Sequence, residues 1–433
     1  MAILSDTSSL ALNPAVERAF AALETAGVAW CILRGEECLA QPRNDIDLLV
    51  APADRAVAAE ALAQAGFAPL PLRSSHRLFA AYEPAEDRWV KLDVVTEFAY
   101  GRPPTFRVPA ATACLALRTT VDGASLLQLE DRFWSGLLHD SLDREDAASE
   151  SRSRLAAMAR QIDPKRGPFA AHLADTLGPD VLARLASHAR AEEWTEVRTI
   201  LAKAAPRDAR RNGRRVTRLR RMLSRAGRKG VSVALLGPDG AGKSTLAAGL
   251  RESVPLATRS LYMGMQAGAS VPGKTWTAPQ ASGPRRRRRR LPVRLARQTR
   301  RLFRLARRSV LAWALVNSGH LVIFDRFPYD AEVHWENVNR PGARLRLWLL
   351  RRAVVEPDVV VFLDVPGEIT FQRKGEHSPE LLELRRNRYL SLAARLEHAH
   401  VIDATRNASE VRATVTSLVW SAYANKHARR AEA

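Results

Sequence analysis

The chain has 433 residues, 46% of them apolar, and carries 67 Lys and Arg against 46 Asp and Glu, a formal charge of +21. Such a length is too great for one hydrophobic core and predicts two or three domains. The best membrane candidate, Val310–Val316, falls far short of the ~18 apolar residues of a spanning helix, no basic leader precedes an apolar run at the N-terminus, and Cys31, Cys38 and Cys114 lack metal-ligand spacing. A cytoplasmic protein with reduced thiols and no stable membrane insertion is expected.

Residues 1–110 alternate apolar helices with short β-rich runs at Ala29–Leu33, Ile46–Val50 and Val90–Val95. The first run ends at Arg34-Gly35-Glu36, and ten residues beyond Gly35 comes Asp45-Ile46-Asp47. Strand alternation puts Asp45 and Asp47 on one face, and Asp93 sits within a further apolar strand. Carboxylates so arranged can hold two Mg²⁺ ions for in-line nucleotidyl transfer. The pattern resembles the nucleotidyltransferase superfamily, whose motif is hydrophobic-Gly-Gly/Ser, then Asp-hydrophobic-Asp, then a third Asp. The resemblance implies an α+β nucleotidyltransferase-like domain over residues 1–110, with Asp45, Asp47 and Asp93 as metal ligands. Glu36 stands where the family places a small residue that helps hold a nucleotide phosphate. A carboxylate there repels triphosphate, so metal binding is expected more than catalysis.

Residues 111–228 show helical periods and no convincing strand, and are expected to form a helical domain with a basic linker. Residues 203–229 hold twelve Lys/Arg against one acid, and residues 285–308 hold thirteen Arg against none. These two segments contribute +24, leaving −3 for everything else, so the basicity is local. Solvated basic segments are the plain reading; a polyanion contact through Arg285–Arg290 and residues 203–229 is the functional one.

Residues 229–426 return to strands alternating with helices: Val231–Leu236, Leu321–Phe324, Val359–Leu363 and His400–Ile402. Continuous apolar strands between helical patterns argue for a parallel sheet covered on both faces. The segment Gly264–Arg290 is rich in Gly, Pro, Ser and Thr and is read as an insertion, followed by a long basic helix from about residue 292 to 318. The first strand of this region runs into Gly237-Pro238-Asp239-Gly240-Ala241-Gly242-Lys243-Ser244-Thr245, and a helix follows. The spacing G-x-x-x-x-G-K-S turns backbone N–H groups inward around phosphate oxygens at a helix N-terminus. Lys243 is expected to reach the β- and γ-phosphates of ATP, and the Ser244 hydroxyl to ligate Mg²⁺.

Two later strands end in Asp325-Arg326-Phe327 and Asp364-Val365-Pro366. Together with the phosphate loop and the run Pro357–Pro366, they make residues 229–426 similar to the thymidylate kinase-like family of nucleoside monophosphate kinases. The resemblance implies an Asp near the metal at Asp325, an acceptor-phosphate grip at Arg326 and lid cations at Arg373 and Lys374. It further implies Mg-ATP-dependent phosphorylation of a small acceptor, most simply a nucleoside monophosphate. Pro328-Tyr329-Asp330 departs from the family's serine-rich continuation, which leaves open a sugar or glycan acceptor read by Tyr329 and Asp330. A second alternative is a regulatory protein whose nucleotide occupancy gates attachment to nucleic acid or membrane through the Arg-rich segments. The fold class expected is therefore α/β: a C-terminal P-loop kinase domain with a parallel sheet, preceded by the α+β domain and the helical domain.

Overall fold

The structure, a computed structural model, describes residues 12–36, 39–71, 77–101, 104, 106–121, 123–144, 149–204, 229–264, 291–334, 348–350, 352–375 and 377–431. The Arg285–Arg290 run and most of the basic stretch 203–229 lie outside the described residues. The chain forms two compact units, Met1–Ser224 with His427–Ala433, and Arg225–Lys426.

In the first unit, α1 (Pro14–Thr25) starts where the Asn13 side chain accepts a hydrogen bond from Ala15 N at 2.9 Å, with Pro14 supplying a helix-ready φ. Seven strands form a mixed sheet: β1 (Trp30–Arg34), β2 (Ile46–Val50), β3 (Ala68–Pro69), β4 (Arg77–Glu83), β5 (Arg88–Val95), β8 (Thr119–Val121) and β9 (Ala124–Leu126), in the order β3-β4-β5-β2-β1-β9-β8. A separate hairpin, β6 (Phe98–Tyr100) with β7 (Phe106–Val108), lies in the interval after β5. Side-chain alternation sorts the sheet into two cores. Trp30, Ile32, Ile46 and Leu48 face α1 and α2 (Arg55–Gln64), whereas Cys31, Leu33 and Leu49 pack with Phe133, Trp134 and Leu137 of a helical layer. That layer comprises α3 (Ala111–Ala116), α4 (Leu129–Leu142), α5 (Ser149–Ala159), α6 (Pro168–Leu177), α7 (Pro179–Arg190) and α8 (Trp194–Ala204).

The strand-free reading of residues 111–228 does not hold. β8 and β9 extend the first sheet, β9 running parallel to β1 through Ile32 and Leu126. Three-residue strands carry too little alternation to stand out from a helical background. The helices from 111 to 204 share one core with the sheet.

The second unit is a five-stranded, all-parallel sheet of β10 (Val231–Leu236), β11 (Thr258–Tyr262), β12 (Leu321–Asp325), β13 (Val359–Asp364) and β14 (Ala399–Asp403). Its order is β11-β12-β10-β13-β14. β10, β12 and β13 are buried over nearly their whole length, as continuous apolar strands in a covered parallel sheet should be. The connecting helices are α9 (Lys243–Ser253), α10 (Leu291–Val316), α11 (Asp330–His334), α12 (Gly367–Lys374), α13 (Pro379–Ala393) and α14 (Ala408–Ala431). The chain reverses strand order between β12, β10 and β13. In open parallel sheets this is the point where a crevice forms beyond the strand C-termini. No helix among the described residues is long and apolar enough to cross a membrane.

Candidate functional site: a phosphate loop beside a paired arginine

The loop joining β10 to α9 carries Gly237–Gly242 of the glycine-rich motif, and Lys243, Ser244 and Thr245 open the helix. Gly237 (φ 145°) and Gly240 (φ 95°) occupy backbone conformations that side chains rarely adopt. A Cβ at Gly237 would stand 2.9 Å from Leu363 O, and one at Gly240 would stand 3.0 Å from Thr370 O. The loop is thus wedged against the end of β13 and the body of α12. Ala241 is buried and its N–H closes a turn on Pro238 O at 3.2 Å, while Gly242 O accepts from Leu246 N at 3.0 Å to begin α9. Ser244 and Thr245 are exposed in the first turn of that helix.

Lys243 folds back over the loop. Its ammonium donates to Gly237 O at 2.9 Å and Pro238 O at 2.8 Å, and lies 4.0 Å from the Asp239 carboxylate. Burial pushes its pKa down, with Asp239, Asp330 and Asp325 pulling the other way.

Asp325 ends β12 in register with Leu235 of β10 and Tyr262 of β11, and its carbonyl accepts from Met263 N at 3.1 Å. Its side chain is exposed at the strand C-terminus. Arg326 follows with φ 60°, a left-handed conformation uncommon for a side-chain-bearing residue. The turn aims its guanidinium at Asp239 of the phosphate loop, with which it forms a hydrogen-bonded ion pair. Burial opposes the Arg326 charge, yet Asp239 and then Asp330 outweigh it and hold its pKa above the ordinary arginine value.

The residues after Arg326 do not read as an open acceptor surface. Tyr329 is buried, its ring 4.8 Å from that of Phe327. Asp330 is buried as well. It accepts from Tyr389 Oη of α13 at 2.7 Å and from Phe327 N at 3.3 Å. Tyr329 is therefore a packing residue, and Asp330 an internal anion that acts on Arg326 and Lys243 through space.

Arg373 lies exposed in the last turn of α12, its Nη1 at 3.5 Å from Ala404 O. Its neighbour Lys374 runs closer to the loop, its Cβ lying 3.6 Å from where a Cβ of Gly240 would stand. At the opposite end of α12, Glu383 of α13 accepts from Gly367 N at 2.8 Å, and Arg386 chelates Asp364 through two bonds of 2.5 and 2.9 Å. The hydrogen bonds to Asp364 raise the Arg386 pKa above its ordinary value, with Glu383 adding to them. Tyr389, Arg386 and Asp364 brace the strands and helices around the loop. Tyr389 lies 59 positions from its partner and Arg386 22 from its own, so no local motif announces either pair.

The first unit's acids are placed differently. Asp47 and Asp93 are register partners on the paired strands β2 and β5, and Asp45 lies just before β2. Arg34 Nε donates to Asp47 at 2.5 Å, Lys91 lies 3.7 Å from Asp45, and Arg132 of α4 pairs with Glu36. Among the described residues, no group of three or more His, Cys, Asp or Glu side chains is placed to hold a metal ion.

Residues 236–415 match the thymidylate kinase family model. The match takes in the phosphate loop, the end of β12, α12 and most of α13's surroundings, and covers less than half of the chain. A solved thymidylate kinase from Candida albicans, described as having broad substrate specificity, is 18% identical. It aligns over 46% of this chain and 94% of its own with a TM-score of 0.33, a likeness too distant to carry a substrate across. No curated relative matches the chain. The similarity to that family is confined to residues 236–415, within the second unit.

Proposed function

We propose that the second unit transfers the γ-phosphoryl group of Mg-ATP to a small phosphate-bearing acceptor, most simply a nucleoside monophosphate. One observation supports this reading: Arg326 pairs with Asp239 of the glycine-rich loop, so a cation able to take an acceptor phosphate would stand one ion pair away from the loop that would cradle the donor phosphates. The family match over residues 236–415 supports the same chemistry.

The N-terminus of α9 offers backbone N–H groups and the positive end of its dipole to the β- and γ-phosphates. The Lys243 ammonium, which donates to Gly237 O and Pro238 O, is within the loop and exchanges those carbonyls for phosphate oxygens when ATP enters. Ser244 Oγ and the Asp325 carboxylate are hard oxygen donors of the kind Mg²⁺ selects, and both residues are exposed. Bound there, Mg²⁺ would neutralise charge on the transferring group. Arg326 exchanges Asp239 for the acceptor's phosphate and aligns it in line with the γ-phosphorus, where positioning and charge neutralisation supply most of the catalysis. The bond from the γ-phosphorus to the bridging oxygen breaks as a bond to the acceptor oxygen forms. Lys374 and Arg373 are the cations of α12 from which further neutralisation would come. Holding Arg326 on Asp239 until an acceptor phosphate competes for it keeps the guanidinium oriented.

The test is an ATP-consumption screen over nucleoside monophosphates and free sugars, with Lys243→Ala as the blank. Turnover on a nucleoside monophosphate that disappears in the variant is expected. Turnover on sugars alone would replace the acceptor assignment, and none on any acceptor would end the kinase reading.

A further inference from the structure

Helix α10 has two stripes of different character. Leu305, Ser309 and Ala312 are buried, and with Leu302 and Val316 they form the side packed into the second unit's core. Roughly opposite on the helical wheel, Phe303, Arg304, Arg307, Val310, Leu311 and Ala314 are all exposed, as is Arg300 one turn earlier. Phe303 is 72% exposed, Val310 65% and Leu311 48%. Trp313, 58% exposed, lies at the margin of this stripe. Wound at 100° per residue, Phe303, Val310 and Ala314 fall on the side toward Trp313, and Arg300, Leu311 and Arg304 on the other, with Arg307 between.

The charge on α10 has one sign. Its sequence contains seven arginines and no Asp or Glu. Among its described arginines only Arg308 has a fixed backbone partner, donating to Tyr262 O at 2.7 Å. An exposed helix face that sets aliphatic and aromatic side chains beside unneutralised arginine fits one environment well, the boundary between anionic headgroups and acyl chains. There Phe303, Val310, Leu311 and Trp313 enter the apolar layer while the arginine stems lie along it and their guanidinium groups reach lipid phosphate. A nucleic acid would satisfy the arginines but offers nothing to Val310 and Leu311, and it would call for polar and stacking residues in their place.

We propose that the exposed face of α10 docks the protein reversibly on an anionic lipid surface, lying in the interface without crossing it. The docking is independent of the phosphoryl-transfer reading.

The test is flotation of the full chain with phosphatidylcholine vesicles, with and without phosphatidylglycerol. Binding that requires phosphatidylglycerol and weakens with salt is expected. Replacing Arg300, Arg304 and Arg307 singly by Gln should each lower the vesicle partition coefficient about fivefold. Val310→Ser with Leu311→Ser should lower it by at least about tenfold, since burying two aliphatic side chains is removed. Both positions are exposed, so the melting temperature and its rise on ATP addition should match the wild type and show that the variants fold. Three outcomes overturn the proposal: equal binding to both vesicle types, anionic binding untouched by the Val310/Leu311 change, or a concentration-dependent dimer that this change dissolves. If an oligonucleotide binds better than the vesicles and ignores the Val310/Leu311 change, the partner is nucleic acid and the proposal also fails.

Discussion

Arg326 and Asp239 lie 87 positions apart and meet as an ion pair across the phosphate loop, the arginine held in a left-handed backbone turn to do so. In the proposed reaction the pair would tie the acceptor side of the site to its donor side. Arg326→Ala would then remove the acceptor's grip and also the cation that offsets Asp239 in the glycine-rich loop. Turnover should fall about 10²–10³-fold, and ATP affinity should fall roughly tenfold, about 1.4 kcal/mol. Adding Asp239→Asn should restore ATP affinity and leave turnover low. Calorimetric titration of ATP into the wild type and the two variants checks this. A double variant that binds ATP as poorly as Arg326→Ala would show that the two residues act independently.

Lys243 should make nucleotide binding sensitive to alkaline pH. Burial lowers its pKa in the free protein, so the ammonium discharges at a lower pH than an ordinary lysine would. Phosphate oxygens favour the charged form, so ATP raises that pKa again. The sign follows: as pH rises through the depressed pKa, ATP affinity falls, and each binding event takes up a proton. Because the folded pKa lies below the unfolded one, the free protein's own stability gains from Lys243 as pH rises through the same window. Titrations in buffers of different ionisation enthalpy should report the proton uptake. Lys243→Arg should abolish it, since a guanidinium stays charged.

Gly240 should tolerate no side chain. Its φ of 95° strains any L-residue, and a Cβ would press on Thr370 O at 3.0 Å. Gly240→Ala should lower stability by about 1–3 kcal/mol and weaken ATP binding more than that loss explains, because relief of the contact pushes the loop away from α12. Gly27, with positive φ but nothing within 4 Å of a Cβ, is the control. Gly27→Ala should cost about 1 kcal/mol, less than Gly240→Ala, in melting experiments and leave ATP binding alone.

How much of this could be seen in the sequence depended on how local each feature is. The phosphate loop announces itself because its glycines, lysine and serine occupy one short run between an apolar strand and a helix. β10, β12 and β13 are legible for the same reason, being continuous apolar runs that end in Gly237, Asp325 and Asp364. β4, whose interior is apolar but begins and ends in charge, and β11, whose residues are partly exposed, lack that signature. The bracing pairs Asp330–Tyr389 and Asp364–Arg386 arise only when distant elements close on one another. Tyr329 illustrates the limit in the other direction, since a tyrosine three residues after the arginine of the Asp-Arg-Phe motif reads as a ligand contact until its ring is found packed on Phe327.

In the first unit Arg34 is paired with Asp47, one of the carboxylates that the sequence pattern offers as a metal ligand. A register shift between Ile32 and Arg34 in the β1–β2 pairing brings the arginine opposite Asp47, and Nε reaches the carboxylate at 2.5 Å. Burial works against the Arg34 charge, but Asp47 overrides it and holds the pKa above the ordinary value. Breaking a buried ion pair typically costs about 3–5 kcal/mol; with both side chains partly exposed, Arg34→Met should cost about 2–3 kcal/mol. Pairing it with Asp47→Asn removes the stranded carboxylate and should recover most of that loss, a coupling measurable by denaturant titration of the four proteins. The same series bears on the metal. With Arg34 in place, Mg²⁺ or Mn²⁺ should leave the first unit's melting unchanged in the absence of nucleotide. In Arg34→Met, Asp47 is released beside its register partner Asp93, two carboxylates then repel across the strand pair, and a divalent ion should stabilise by RT ln(1 + [L]/Kd). Metal stabilisation of the wild type that Asp47→Asn abolishes would mean that the ion displaces Arg34, and that these carboxylates are a metal site after all.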